Sequence, residues 1–206
     1  MGIDPRRRRP GLAAGREKVK ALSLRARGLR LARAPILFER HAGFILQQRV
    51  TFGEAARVWQ VVHRERGLPA PGAPELRVPL TPEAWRRVAS ADLARLGVDL
   101  KRWVALQEAA RVAARVEARA ADHAELRRLM MAIPGTGVWT TECVLGFAAA
   151  DADALPLGDV HLPHMVAEHF EGDPRGDDRR MLELLEPFRP HRFRVVRWLM
   201  APRYGV

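Results

Sequence analysis

The sequence predicts an all-α protein. Three observations carry that expectation: apolar residues recur at spacings of three and four along almost the whole chain, capping residues stand where those runs begin, and alternating strand patterns are nearly absent. In chain order, "ILFERHAGFILQQ" and "GEAARVWQVVHRER" read as two amphipathic helices separated by "RVTFG". "LPAPGAPELRVPLTP" is a Pro-rich loop with room for one short extended piece, and Thr81, Pro82 and Glu83 then supply an N-cap, an N1 proline and a first-turn acid. Ser90 and Gly97 bound a short helix as cap and stop. "DLKRWVALQEAARVAARVEARA" is a long amphipathic helix, and "DHAELRRLMMAI" follows with Asp122 as its cap. "VWTTECVLGFAAA", a loop "DADALPLGD", and helices near residues 160 to 170, 177 to 186 and from about 190 complete the chain.

At 206 residues with 48% hydrophobic content, the chain is long enough to bury a core. We expect a single domain over residues 18–206 and a basic, disordered tail over 1–17, where apolar periodicity is missing. No run approaches a membrane span, and "MGIDPRRRRPG" lacks the apolar stretch of a secretory signal. Cys143 is the single cysteine, so no intramolecular disulfide and no four-cysteine metal site can form, and a reducing cytoplasm is the expected setting. The net charge of +11 is unevenly placed: residues 1–34 carry +9 and the rest only +2. A second cluster, Arg189, Arg192, Arg194, Arg197 and Arg203, lies near the C-terminus. Such patches suit a polyanion, although Arg-rich composition by itself is ambiguous.

The most informative stretch is Pro134-Gly135-Thr136-Gly137 between two helical runs. The glycines allow positive φ or close backbone approach, and the next helix starts at once with unsatisfied N–H groups, which makes a seat for phosphate. It is not a nucleotide P-loop, because no Gly-Lys-Ser/Thr follows. Alone, the turn is also an ordinary helix connection. Downstream, Asp159 follows Gly158 in a loop just before an apolar helix, where a carboxylate would cap.

Together, "LMMAIPGTGVWTTECVL", "LPLGDVHLPHMV", "FERHAGFILQQRVTFGEAARVW" and "ARLGVDLKRWVALQEAAR" resemble, in the correct order, four segments of the helix-hairpin-helix DNA glycosylases that carry a Gly/Pro-rich loop and an essential Asp. The branch most similar is the 3-methyladenine glycosylase II-like one. The resemblance implies helices packed around a cleft, a hairpin at about 123–148 and the Gly/Pro-Asp loop at about 150–160. It implies Asp159 as the catalytic residue, and Trp139, Cys143, Glu142, Phe188 and His161 as the base pocket. DNA would be held by Gly135, Thr136, Gly137 and Arg192, with Gln48 and Arg49 where the family places the side chain that fills the gap left by a flipped nucleotide. Trp139 stands where strand-cutting members have a Schiff-base Lys, so a monofunctional enzyme without lyase activity is expected. Cys143 stands where a base-stacking Tyr is usual, and the one tyrosine here is Tyr204. No cofactor is expected beyond a structural Na or K ion on hairpin carbonyls.

The partner expected is double-stranded DNA with a damaged base, bound by a monomer in the bacterial cytoplasm. Deaminated or mismatched bases, or DNA binding without catalysis, are the competing functions. His161, His164 and His169 lack a metal-ligand pattern. Trp59, Trp85, Trp103 and Trp198 fit core positions on amphipathic helices.

Overall fold

The computed structural model describes residues 12–34 and 36–204. The run Arg6–Arg9 lies outside the described residues, as do the side chains of Arg203 and Tyr204. Among the described residues the architecture is helical: α1 Leu12–Arg25, α2 Leu37–Leu46, α3 Phe52–Arg66, α4 Pro82–Arg86, α5 Ser90–Ala94, α6 Leu100–Glu117, α7 His123–Met131, α8 Val138–Phe147, α9 Leu162–Glu171, α10 Asp178–Leu185 and α11 Arg192–Tyr204. Its one sheet is an antiparallel pair, β1 Pro69–Ala70 with β2 Ala73–Arg77, inside the Pro-rich segment.

The chain divides into two compact units, one of residues 32–151 and one joining the segment before residue 32 to residues 152–206. In the first, α2 and α4 pack on α6. Ala105, Ala109 and Ala113 recur every four residues along α6, so one side of that helix is small enough for close approach. Phe38, Ile45, Leu46, Val58, Trp85, Leu93 and Leu106 fill the space against it. In the second unit Leu22 of α1 joins Met165, Val166 and Phe170 of α9, Met181 and Leu185 of α10, and Val195, Val196 and Leu199 of α11. Trp85 is fully buried, while Trp59, Trp103 and Trp198 pack partly buried against these cores, as the amphipathic pattern implied.

The expected caps Thr81 and Asp122 each accept a backbone N–H of the following turn, and Asp99 does the same for α6, while Thr51 and Glu54 form a reciprocal capping box on α3. Two expectations need correction. The cap of α5 is Ala89 rather than Ser90, and it makes no side-chain bond. Residues 12–17, read as part of a tail, are the first turns of α1: Gly15, Lys18, Val19 and Leu22 form its inward stripe. Gly15 lies against the rings of Phe170 and Phe188, and the Lys18 ammonium donates to the carbonyls of His169 and Phe170 at the C-terminal end of α9, where a cation is favoured. Only two of those stripe positions are large and apolar, which is why the periodicity was too weak to reveal the helix.

Candidate active site

The hairpin of the first unit is α7, the turn at residues 132–137, and α8. Thr136 N–H donates to the Ile133 carbonyl at 2.9 Å, closing the turn, and Gly135 sits at φ 80°. A Cβ on Gly135 would fall 2.5 Å from that of Ala105, so the position needs glycine both for its dihedral and for its fit against α6. Gly137 is different. Its φ is −88°, and a Cβ there would meet nothing within 4 Å. Gly137 is the N-cap of α8 and contributes no side-chain capping bond.

The turn is braced from α2. The buried His41 ring bonds the Thr136 hydroxyl at 2.8 Å, and the Gln48 amide donates to the Gly135 carbonyl and the Thr140 hydroxyl, both at 2.9 Å. Thr136 is 3% exposed, so its side chain is a support of the turn and is not presented outward. Gln48 likewise holds the hairpin, whereas its neighbour Arg49 is exposed with φ 59°, a conformation that costs a non-glycine residue about 1 kcal/mol or more. Of the two candidate wedges, Arg49 is the one presented outward.

Burial pushes the His41 imidazole down from 6.5 to about 4. The neutral ring is therefore the folded form, and the unfolded chain takes up a proton below pH 6.5. That stabilisation is complete above pH 6.5 and is lost as pH falls toward 4, about 3 kcal/mol over the full window. Urea unfolding at pH 7 and pH 4.5 is expected to show a steeper acid loss for wild type than for His41→Gln.

Trp139, on the first turn of α8, is half-buried and meets Phe44 edge to face at 6.0 Å; Phe44 in turn packs on Phe147 at 5.7 Å. Phe44 also lines a pocket of about 220 Å³ between α2 and α3 with Arg40, Phe52 and Trp59. The sequence reading overlooked Phe44. Its position four residues before Gln48, on one side of α2, was the available signal. Cys143 is buried at 3%. Glu142 is committed elsewhere: the Arg127 guanidinium donates to it at 2.5 Å and to Asp151 at 2.9 Å. These two carboxylates raise the Arg127 pKa and fix its charge, so Glu142 is a packing anchor of the hairpin helices and not a pocket acid.

In the second unit Asp159 is half-buried at the start of α9. Its Oδ1 accepts the N–H groups of His161 at 2.8 Å and Leu162 at 2.9 Å, which pins the carboxylate at the positive end of that helix. The loop is set by its neighbour: Gly158 has φ 83°, and its N–H donates to Asp178 at 2.8 Å. His161 contributes a backbone donor while its side chain is exposed. Phe188 stacks on Phe170 at 5.7 Å, a packing role within this unit.

Arg192, expected on DNA, is 8% exposed. Its guanidinium grips Asp153 in a two-pronged pair at 2.8 and 2.7 Å, and Asp153 also accepts the Arg192 N–H at the start of α11. Arg192→Gln is expected to lower unfolding free energy by about 2 kcal/mol, a value reduced from that of a fully buried pair because Asp153 is partly exposed. DNA affinity should stay near that of wild type; a urea melt and a DNA titration separate the two effects.

Among the described residues no group of three or more His, Cys, Asp or Glu side chains converges to hold a metal.

No protein-family profile and no curated protein matches the sequence. Solved structures do. A 3-methyladenine DNA glycosylase of Schizosaccharomyces pombe, in complex with abasic DNA, is 18% identical with a TM-score of 0.71, over 94% of this chain and 93% of that one. A 3-methyladenine DNA glycosylase of Archaeoglobus fulgidus is 20% identical with a TM-score of 0.72, over 95% and 69%. An 8-oxoguanine glycosylase/lyase of Clostridium acetobutylicum, with DNA, is 14% identical with a TM-score of 0.67, over 94% and 70%. Likeness of this extent at such low identity establishes architecture: the chain is built on the helix-hairpin-helix DNA glycosylase fold.

Proposed function

We propose that the protein is a monofunctional DNA glycosylase of base-excision repair, a monomer that releases alkylated purines such as 3-methyladenine from duplex DNA in the bacterial cytoplasm. The observation that carries this reading is the Asp159 carboxylate, fixed by two backbone N–H bonds at the head of α9. The hairpin would seat a phosphate at the positive end of α8, and Gly137, where an added Cβ would meet nothing within 4 Å, leaves space for the backbone to approach. Extruding the nucleotide costs a few kcal/mol, least where damage has weakened the pair. Arg49 would occupy the gap.

As the C1′–N bond breaks, its electron pair leaves with the base and positive charge grows on the sugar. Asp159 stabilises that charge and orients the water whose oxygen bonds to C1′, accepting its proton. An alkylated purine is already cationic and leaves without a general acid. Trp139, held edge-on by Phe44, offers such a base a cation–π face worth about 0.5 to 2 kcal/mol. A neutral deaminated base would need an acid, and Glu142 is held by Arg127 instead. That favours the alkylated substrate over hypoxanthine or uracil.

The test is a panel of duplexes carrying 3-methyladenine, hypoxanthine or uracil. Release of the alkylated base foremost is expected, with strands intact until alkali is added because Trp139 cannot form an imine. Strand breaks before alkali would contradict the monofunctional assignment, and preferred release of uracil or hypoxanthine would contradict the alkylated-base assignment.

A further inference from the structure

The two basic clusters that look alike in the sequence are chemically unlike in the structure. In the C-terminal one, Arg192 is buried on Asp153, Arg189 pairs with Glu186 at 3.0 Å, and Arg197 is half-buried, its desolvation lowering its pKa. Several exposed arginines elsewhere are matched to carboxylates, Arg95 to Asp92, Arg111 to Glu108, Arg175 to Asp173 and Arg179 to Glu183, while ones without an ion pair among the described residues, such as Arg64, Arg77 and Arg115, are spread singly over α3, β2 and α6. The segment after residue 12 concentrates its cations instead. Arg16, Lys20, Arg25, Arg27 and Arg30 are all exposed. Among the described residues the one ion pair there is Lys20 to Glu17 at 4.0 Å, with both side chains more than two-thirds exposed, a contact worth little. Lys18, by contrast, is consumed at the end of α9.

Within residues 16–30, five exposed cations thus stand against a single acid, Glu17. We propose that α1 and the segment after it form a second phosphate-binding surface, which takes DNA backbone independently of the hairpin. The proposal rests on the DNA-binding part of the function proposed above. It assigns these side chains to affinity and positioning without base readout, since phosphate contacts carry no sequence information.

The experiment measures the affinity of the full chain for an undamaged duplex between 50 and 300 mM KCl. It compares wild type with two variants that each lose five positive charges. One carries Arg16→Gln, Lys20→Gln, Arg25→Gln, Arg27→Gln and Arg30→Gln; the other carries Arg95→Gln, Arg111→Gln, Arg175→Gln, Arg179→Gln and Arg189→Gln. Each phosphate contact adds about 0.9 to the slope of log affinity against log salt. The first variant is expected to lose about 2 or more from that slope, with at least a tenfold drop in affinity at the salt midpoint, and the second less than about 1. Equal effects of the two sets would overturn the proposal in favour of net charge alone, and an unchanged slope in the first would overturn it outright. Base release at saturating enzyme is followed in parallel: release with an unchanged slope sinks only the second surface, whereas DNA binding without release in wild type sinks only the catalytic reading.

Discussion

Gly135→Ala is expected to destabilise the protein by about 2 to 4 kcal/mol, because the new Cβ meets two independent penalties. The backbone is at φ 80°, where alanine is strained, and the Cβ would lie 2.5 Å from that of Ala105 on α6, a helix whose small residues are already packed to contact. In a chain of 206 residues this corresponds to roughly 5 to 15 °C of melting temperature. Gly137→Ala, two residues on, is expected to change stability by less than about 0.5 kcal/mol, since φ is −88° and the added methyl meets open space. It should instead weaken DNA binding, because the proposed function brings a phosphate into that space. Calorimetry and a DNA titration on both variants check the contrast; a Gly137→Ala protein with wild-type affinity would remove the phosphate from that spot.

Much of this architecture was legible in the sequence because its signals are local. Thr81-Pro82-Glu83 and Asp122 mark helix starts by bonding their own next turn, and of the two hairpin glycines open to positive φ, Gly135 takes it and Gly137 does not. Asp159 is local too: both its cap bonds go to residues within three of it. What could not be read is which distant partner takes a polar side chain. Arg192 finds Asp153 thirty-nine residues away, Arg127 finds Glu142 and Asp151, and Thr136 turns inward to His41 across ninety-five residues. An exposed arginine on DNA and a buried one in an ion pair look identical in a one-dimensional pattern. For the same reason nothing in the local pattern shows that the Gln48 amide bonds the hairpin. Helix α1 escaped because Gly15 and Lys18 stand on its packing side, and neither has the apolar signature that periodicity detects.

Asp159→Asn is expected to lower single-turnover base release by about 10³-fold or more, the scale on which an oriented base and charge-stabilising group act. The substitution isolates chemistry from structure. Asparagine caps a helix as well as aspartate does, so the bonds from His161 and Leu162 should persist and stability should change by only a few tenths of a kcal/mol. What disappears is the negative charge opposite the developing cation and the acceptor for the water proton. DNA affinity should remain within about threefold of wild type, because phosphate contacts set it.

The most direct measurement is therefore release of free base from methylated duplex DNA under single-turnover conditions, with wild type beside Asp159→Asn. The account predicts release by the wild type, and a variant that binds the same DNA while releasing base at least about a thousandfold more slowly. A variant as active as wild type would show that another group does the chemistry, and a wild type that binds damaged DNA yet frees no base would contradict the enzyme itself.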